Sequence, residues 1–259
     1  MPERDQILLQ SFGFAHDENL NRAVAVFLRY LSNLSPEHQS TWEAKELAEN
    51  YNLHPGYLAS SMGHWDTKIS IFSAFLKEMD LINEMALIIE KPPLFRNSFI
   101  TEKPKDFGFL LRPTLAEFNK FVLLLDQLMS DNLNKKFFSP ELELAEDNVR
   151  PDGKIEVRQK GTIALLDEWA RTCFIAEDDS VIQEMMDAFR KVRKLRQAPA
   201  HSIIEDKFDQ KYFHDQRALI IESYKAVRMI RLILTNHPAV QASPPAISDF
   251  LYNGKIWSI

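Results

Sequence analysis

Glycine is scarce in this chain. Seven glycines and 13 prolines are spread over 259 residues, so few positions suit tight turns. Apolar residues at helical spacing fill the stretches between them. Long segments with few interruptions predict an all-α, mostly helical protein. Hydrophobic residues make up 45% of the chain and charged residues 26%, enough for a core and ordinary for a soluble protein. The length suits one large domain or two modest ones.

The apolar stripes set the organisation. Leu20 to Leu34 carries Leu20, Val24, Phe27, Leu28 and Leu31 on one side, which predicts a helix. Thr41 to Tyr51 is a second helix and Thr67 to Leu81 a third. Met85 to Ile89 fits either a strand or a helix end. Residues 96 to 112, punctuated by Pro104 and Gly108, read as a linker or long loop. The expected domains are therefore 1–100, a smaller N-terminal helical domain, and 101–259, a helical bundle with a C-terminal tail. Within the bundle, helices are predicted from Leu115 to Met129, Thr162 to Phe174, Val181 to Leu195 and Gln210 to Asn236. Between Ser139 and Gly161 the chain is acidic and irregular, and the alternation of Ile155 and Val157 with charges fits a brief strand.

The net charge is -6, which argues against a generic nucleic-acid coat. The average hides a split. Arg190 to Arg231 holds eleven Lys/Arg against five Asp/Glu, a local balance of +6, and the rest of the chain carries -12. A basic segment in an acidic protein marks a localised anion site. The single cysteine, Cys173, forbids an internal disulfide and favours a reducing, cytoplasmic setting. Met1 to Phe14 does not read as a signal peptide. No window of about 18 apolar residues suggests a spanning helix.

The basic segment contains Arg196-Gln197-Ala198-Pro199-Ala200-His201. An arginine can hold a phosphate through its planar fork of donors. A histidine can move a proton near neutral pH. On an unbroken helix residues five apart point about 140° away from each other. Pro199 disfavours helical geometry at Ala198, so the helix should end near Gln197. The resulting kink can turn both side chains into one cleft. Competing readings are ordinary: an arginine at a helix C-terminus complements the dipole, and a histidine after Pro-Ala can bond a carboxylate such as Glu205.

This motif sits between two long helical stripes, the second ending at His237-Pro238. In that setting residues 113 to 238 resemble a HEPN domain, whose signature is Arg, four to six residues, then His in an all-helical bundle. The residue after the arginine is commonly Asn, Asp or His in that family; here it is Gln197. The resemblance implies a metal-independent endoribonuclease without cofactors, of the kind found in toxin–antitoxin and phage-defence systems. It implies a homodimer in which two motifs form a composite site, with RNA as substrate and an antitoxin or defence-complex protein as partner. Carried over, Arg196 would hold the phosphate and His201 would handle the proton. Gln197 would orient either group, and Arg193, Lys194 and Lys207 would contact the RNA backbone.

Two other readings stand beside it. HEPN-like domains also act as non-catalytic interaction modules. Glu43 to Leu58 has the rhythm of a helix-turn-helix, the mark of a transcriptional regulator, but its second helix, Pro55 to Met62, lacks Lys and Arg, which a DNA reader needs. The scattered histidines give no metal-ligand spacing, and no phosphate-cradling glycine loop is present.

Overall fold

The computed structural model describes residues 12–48, 50–64, 68–139, 141–149, 154–174, 179–197 and 206–258. The chain is mostly helical but carries small sheets, so the all-α expectation holds only in its helical part. It divides into two compact units, one running to Lys68 and the other from Ile69 to Ser258. The division thus falls after Lys68, whereas the sequence suggested a boundary near residue 100.

The first unit is built on strands. β1 (Gly13–His16) and β2 (Arg22–Ala25) form an antiparallel hairpin, and β3 (Asn52–Leu53) pairs with the other side of β1. Asp17 closes the hairpin, its carboxylate accepting from Asn21 N at 2.7 Å and from Asn21 Nδ2 at 2.8 Å. Gly13 is required by close approach: a Cβ there would lie 2.1 Å from Tyr57 Cγ. Short helices fill the rest: α1 (Leu28–Leu31), α2 (Pro36–Glu43) and α3 (Pro55–Ser61). The helix expected from Leu20 to Leu34 is therefore largely a strand and a single turn. Backbone pairing across the hairpin overrides the helical spacing of its apolar residues. The expected Thr41–Tyr51 helix ends early at Glu43. The helix-turn-helix rhythm of Glu43 to Leu58 is interrupted by β3, whose Leu53 lies opposite Ala15.

The second unit is helical. α4 (Ile71–Ile88) begins at Ser70, whose Oγ accepts from Ser73 N at 3.2 Å, and it absorbs the ambiguous run at Met85. α5 (Leu115–Asp126) is capped by Thr114, whose Oγ1 accepts from Glu117 N at 3.3 Å. Its last turn opens into a π-helical turn, Gln127–Asp131. The short α6 (Lys135–Phe138) and a two-stranded hairpin, β5 (Ala145–Val149) and β6 (Ile155–Gln159), follow. α7 (Thr162–Cys173) and α8 (Ser180–Gln197) are antiparallel: Asp167 meets Arg190, and Arg171 meets Gln183. The long α9 (Lys211–Thr235) packs against α4 and α8.

Contacts advance in the same direction along α4 and α9. Glu78 meets Tyr224 and Arg231, and Met85 meets Thr235. These two helices are therefore parallel neighbours. Past α10 (Pro238–Ala242) and α11 (Asp249–Tyr252), β7 (Ile256–Trp257) pairs in parallel with β4 (Ile69–Ser70).

The core is rich in aromatic rings, with Phe72, Phe75, Phe107, Phe121, Phe137, Phe189 and Phe213 fully buried. Phe72 alone meets the rings of Phe107 and Phe109 edge-on at 5.2 and 4.7 Å, an arrangement that matches ring quadrupoles. Residues 96 to 112 belong to this unit. Phe107 is buried in its core. Gln216 on α9 accepts from Leu110 N at 3.1 Å and donates to Gly108 O at 2.9 Å. Among the described residues, no helix is long and apolar enough to cross a membrane.

Candidate functional site

The site grows from the π turn. In an α-helix Asp126 and Asp131, five residues apart, would point about 140° away from each other. A π turn takes more residues per revolution and bonds i to i+5. Asn132 N donates to Gln127 O at 2.9 Å in that pattern. Thr162, at the start of α7, donates its hydroxyl to Ser130 O at 2.9 Å and pins the turn. The two aspartates are thereby brought to one side.

Arg193 and Arg196 answer from α8. Three residues apart, they share a helix face. Arg196 Nη1 donates to Asp126 Oδ2 at 2.6 Å and to Asp131 Oδ2 at 2.7 Å. Arg193 Nη2 donates to Asp131 Oδ1 at 2.8 Å, and its Nε lies 3.0 Å from Asp126 Oδ1. The result is a four-membered cluster of two cations and two anions. Its depth is graded: the Asp126 side chain has 0% exposure, Arg193 and Arg196 have 30% and 32%, and Asp131 has 42%.

The electrostatics follow from this packing. Desolvation pulls the Asp131 carboxyl upward, but the hydrogen bonds and charges of Arg196 and Arg193 outweigh it and hold the group below the usual aspartate range. Hydrogen bonds to Asp126 and then Asp131 raise the Arg196 guanidinium further. Asp131 and Arg196 therefore both stay ionised at neutral pH, and in formal charge the two carboxylates of the cluster balance its two guanidinium groups. Much of the basic segment is paired in the same way. Arg190 meets Asp167 and Asp187, Lys191 meets Glu222, and Arg231 meets Glu78.

Arg196 keeps capacity beyond the cluster. Both of its hydrogen bonds use Nη1, and among the described residues no acceptor is recorded for its Nε or Nη2. The side chain sits in the last turn of α8, where basic groups complement the dipole. Gln197 is exposed on the following residue, and Lys194 lies on an exposed face of the same helix. Arg193 is engaged in the cluster and is not a separate surface cation. Lys207 is exposed beyond the next connection.

His201 lies outside the described residues, with Pro199 and Glu205. Both flanks of that segment are in place. Gln197 ends α8. Asp206 lies against the start of α5, its Oδ1 accepting from Ala116 N at 3.0 Å, and Phe208 bridges to Thr114.

Asp126 and Asp131 were missed by sequence reasoning. A signal was there to find. Asp126 directly follows Leu125 in a strongly apolar run, on the side of the helix that faces the core, and a carboxylate in such a place needs a cation. Its partners are not predictable from spacing, because a π turn has no sequence signature of its own.

A second concavity, of about 380 Å³, lies at the far ends of α4, α7 and α9. Lys91 reaches into it, with Nζ 4.1 Å from the Phe137 ring centroid and an ion pair to Glu141. Cys173 lines the same cavity. Burial, then Glu141, raises its thiol above the ordinary value, so it is a neutral thiol at physiological pH. Among the described residues no group of three or more His, Cys, Asp and Glu is placed to hold a metal ion.

Comparison with protein-family models, with curated proteins and with solved structures finds no match.

Proposed function

We propose that this chain is a HEPN-type, metal-independent endoribonuclease in which Arg196 holds the phosphate and His201 manages the proton. One observation carries the reading. Arg196 is fixed from beneath by the buried Asp126 and, among the described residues, has donors without an acceptor at the helix end that leads into the Pro199–His201 segment. A guanidinium held in one position before substrate arrives is what transition-state charge requires.

In this reading His201 takes the proton of a ribose 2′-hydroxyl. The freed oxygen attacks the adjacent phosphorus. Charge accumulates on the phosphate oxygens, and Arg196 stabilises it. The 5′-oxygen leaves and is protonated, giving a 2′,3′-cyclic phosphate and a 5′-hydroxyl. Gln197 orients the reacting groups, and Lys194 and Lys207 follow the RNA backbone. A second copy of the chain supplies the second Arg–His motif.

A non-catalytic HEPN-like module is the second reading. It is favoured by the charge balance at Arg193 and Arg196, which matches a structural cluster as well as a site.

The test is direct. Purified protein is incubated with mixed RNA in excess EDTA, beside Arg196→Ala and His201→Ala variants. The parent is expected to cleave, leaving cyclic-phosphate ends, with loss of at least about 100-fold in either variant. Absence of cleavage by the parent across several RNA classes would overturn catalysis in favour of the module.

A further inference from the structure

We infer that Asp131 is a built-in competitor for phosphate: a carboxylate that spans Arg193 and Arg196 and that an RNA backbone must displace in order to bind. The inference rests on the reading of Arg196 as the phosphate holder, and it adds a regulatory residue to that site.

The two aspartates of the cluster differ in kind. Asp126 has no exposure and touches both arginines from the interior. It positions them. Asp131 is 42% exposed and closes the cluster on the solvent side. Its two oxygens are divided between the arginines, Oδ1 to Arg193 at 2.8 Å and Oδ2 to Arg196 at 2.7 Å. A phosphodiester presents the same pattern, two anionic oxygens on one centre, to a pair of guanidinium groups. Carboxylate and phosphate are therefore rivals for one set of donors.

The ranking of strengths makes the rivalry workable. A half-exposed ion pair contributes little in water, so Asp131 can yield. A buried one is costly to break, so Asp126 holds the arginines in place when Asp131 leaves. The π turn makes this division of labour, because it sets Asp131 on the same side as Asp126 but further out. An isolated phosphate or a stray anion offers only one contact and does not outcompete a tethered carboxylate. An RNA strand brings several phosphates and does. The latch thus biases the site toward polymers.

The experiment uses the full chain and separates binding from cleavage. The probe is a labelled 2′-O-methyl RNA oligonucleotide, which lacks the attacking hydroxyl. Affinity is measured by fluorescence anisotropy over a series of salt concentrations for the parent, Asp131→Asn and Asp131→Glu. Asp131→Asn is expected to bind about tenfold tighter at low salt and to steepen the slope of log affinity against log salt by about 0.7, one added phosphate contact on a single strand. Asp131→Glu restores the carboxylate and is expected to return both values toward the parent. Inorganic phosphate should compete poorly against the parent and better against Asp131→Asn. Thermal unfolding of each variant checks that the fold is kept.

Equal affinity and slope in parent and Asp131→Asn would overturn the inference, as would weaker binding in a folded Asp131→Asn or no binding by any form. RNA cleavage is read separately with unmodified RNA. A protein that never cleaves but binds tighter as Asp131→Asn keeps the latch and loses the ribonuclease. One that cleaves with no effect of Asp131 keeps the ribonuclease and loses the latch.

Discussion

Glu78 is fully buried, and its charge is met from two sides. Arg231 Nε donates to one carboxylate oxygen, and the Tyr224 hydroxyl donates to the other at 3.2 Å. Burial and then Glu78 itself push the tyrosine up to about 12, which keeps it a donor across the whole range in which the protein works. Replacing one partner strands the other. Arg231→Met is expected to destabilise the second unit by about 3–5 kcal/mol, measured by denaturant unfolding. The paired change Glu78→Leu with Arg231→Met should recover most of the loss. A double variant no more stable than the single one would show that the residues contribute independently. Neither residue stood out in the sequence. Glu78 follows Lys77 on an amphipathic segment and has the look of a solvated charge. Only the parallel packing of α4 on α9 turns it inward. Arg196 drew notice through its spacing from His201, a pattern in the sequence alone, whereas Asp126 and Asp131 entered through backbone geometry that the sequence does not encode locally.

Among the elements, the longest were the most legible. α7, α8 and α9 follow their stripes closely because each presents an apolar face wide enough to bury, and Val192 and Phe189 are buried as their spacing implies. The strands of the first unit were hidden by the same rule. Four-residue strands such as Arg22–Ala25 are too short for alternation to outweigh a helical match. The π turn was hidden for a different reason: its own Leu128 and Met129 and the preceding Leu125 are apolar and all buried, so they fit a continuous helix equally well. That turn makes an element-level prediction. Deleting Ser130 removes one residue from the turn and lets it close as an α-helix. Asp131 then stands four residues after Asp126, about 40° around the axis, and stays on the side of the arginines. Stability is expected to fall by about 1–3 kcal/mol, and RNA-backbone binding should stay at the parent's level. Binding that tightens in a folded deletion variant, as in Asp131→Asn, would mean that Asp131 reaches the arginines only through the π turn itself.

For the whole molecule, the division after Lys68 separates a strand-based unit from a helical one. The second unit has its own aromatic core and caps its own helices, the conditions for folding alone. A shortened chain beginning at Ile69 is expected to keep a strongly helical circular dichroism spectrum and a single cooperative unfolding transition. A chain that unfolds or loses cooperativity would show that the units depend on each other. The charge split read from the sequence is real as a count, yet at this scale it misled. The basic segment's arginines are largely answered by acids from elsewhere in the chain, so the field it projects is smaller than +6 suggests.

The parallel pair of β4 with β7 carries a consequence for how the protein is made. Ile69 N donates to Lys255 O at 3.0 Å, and Ile69 lies opposite Ile256, so the first residues of the helical unit bond to residues almost its full length away. During translation α4 emerges early and α9, its main partner, late. Ribosomes add residues at about 5–20 per second, so α4's apolar face waits several seconds for cover. In that interval it is a natural client for chaperones. The clasp at Ile69 can form only after Trp257 has been added, so the nascent chain completes its helical unit last of all at the point where that unit begins.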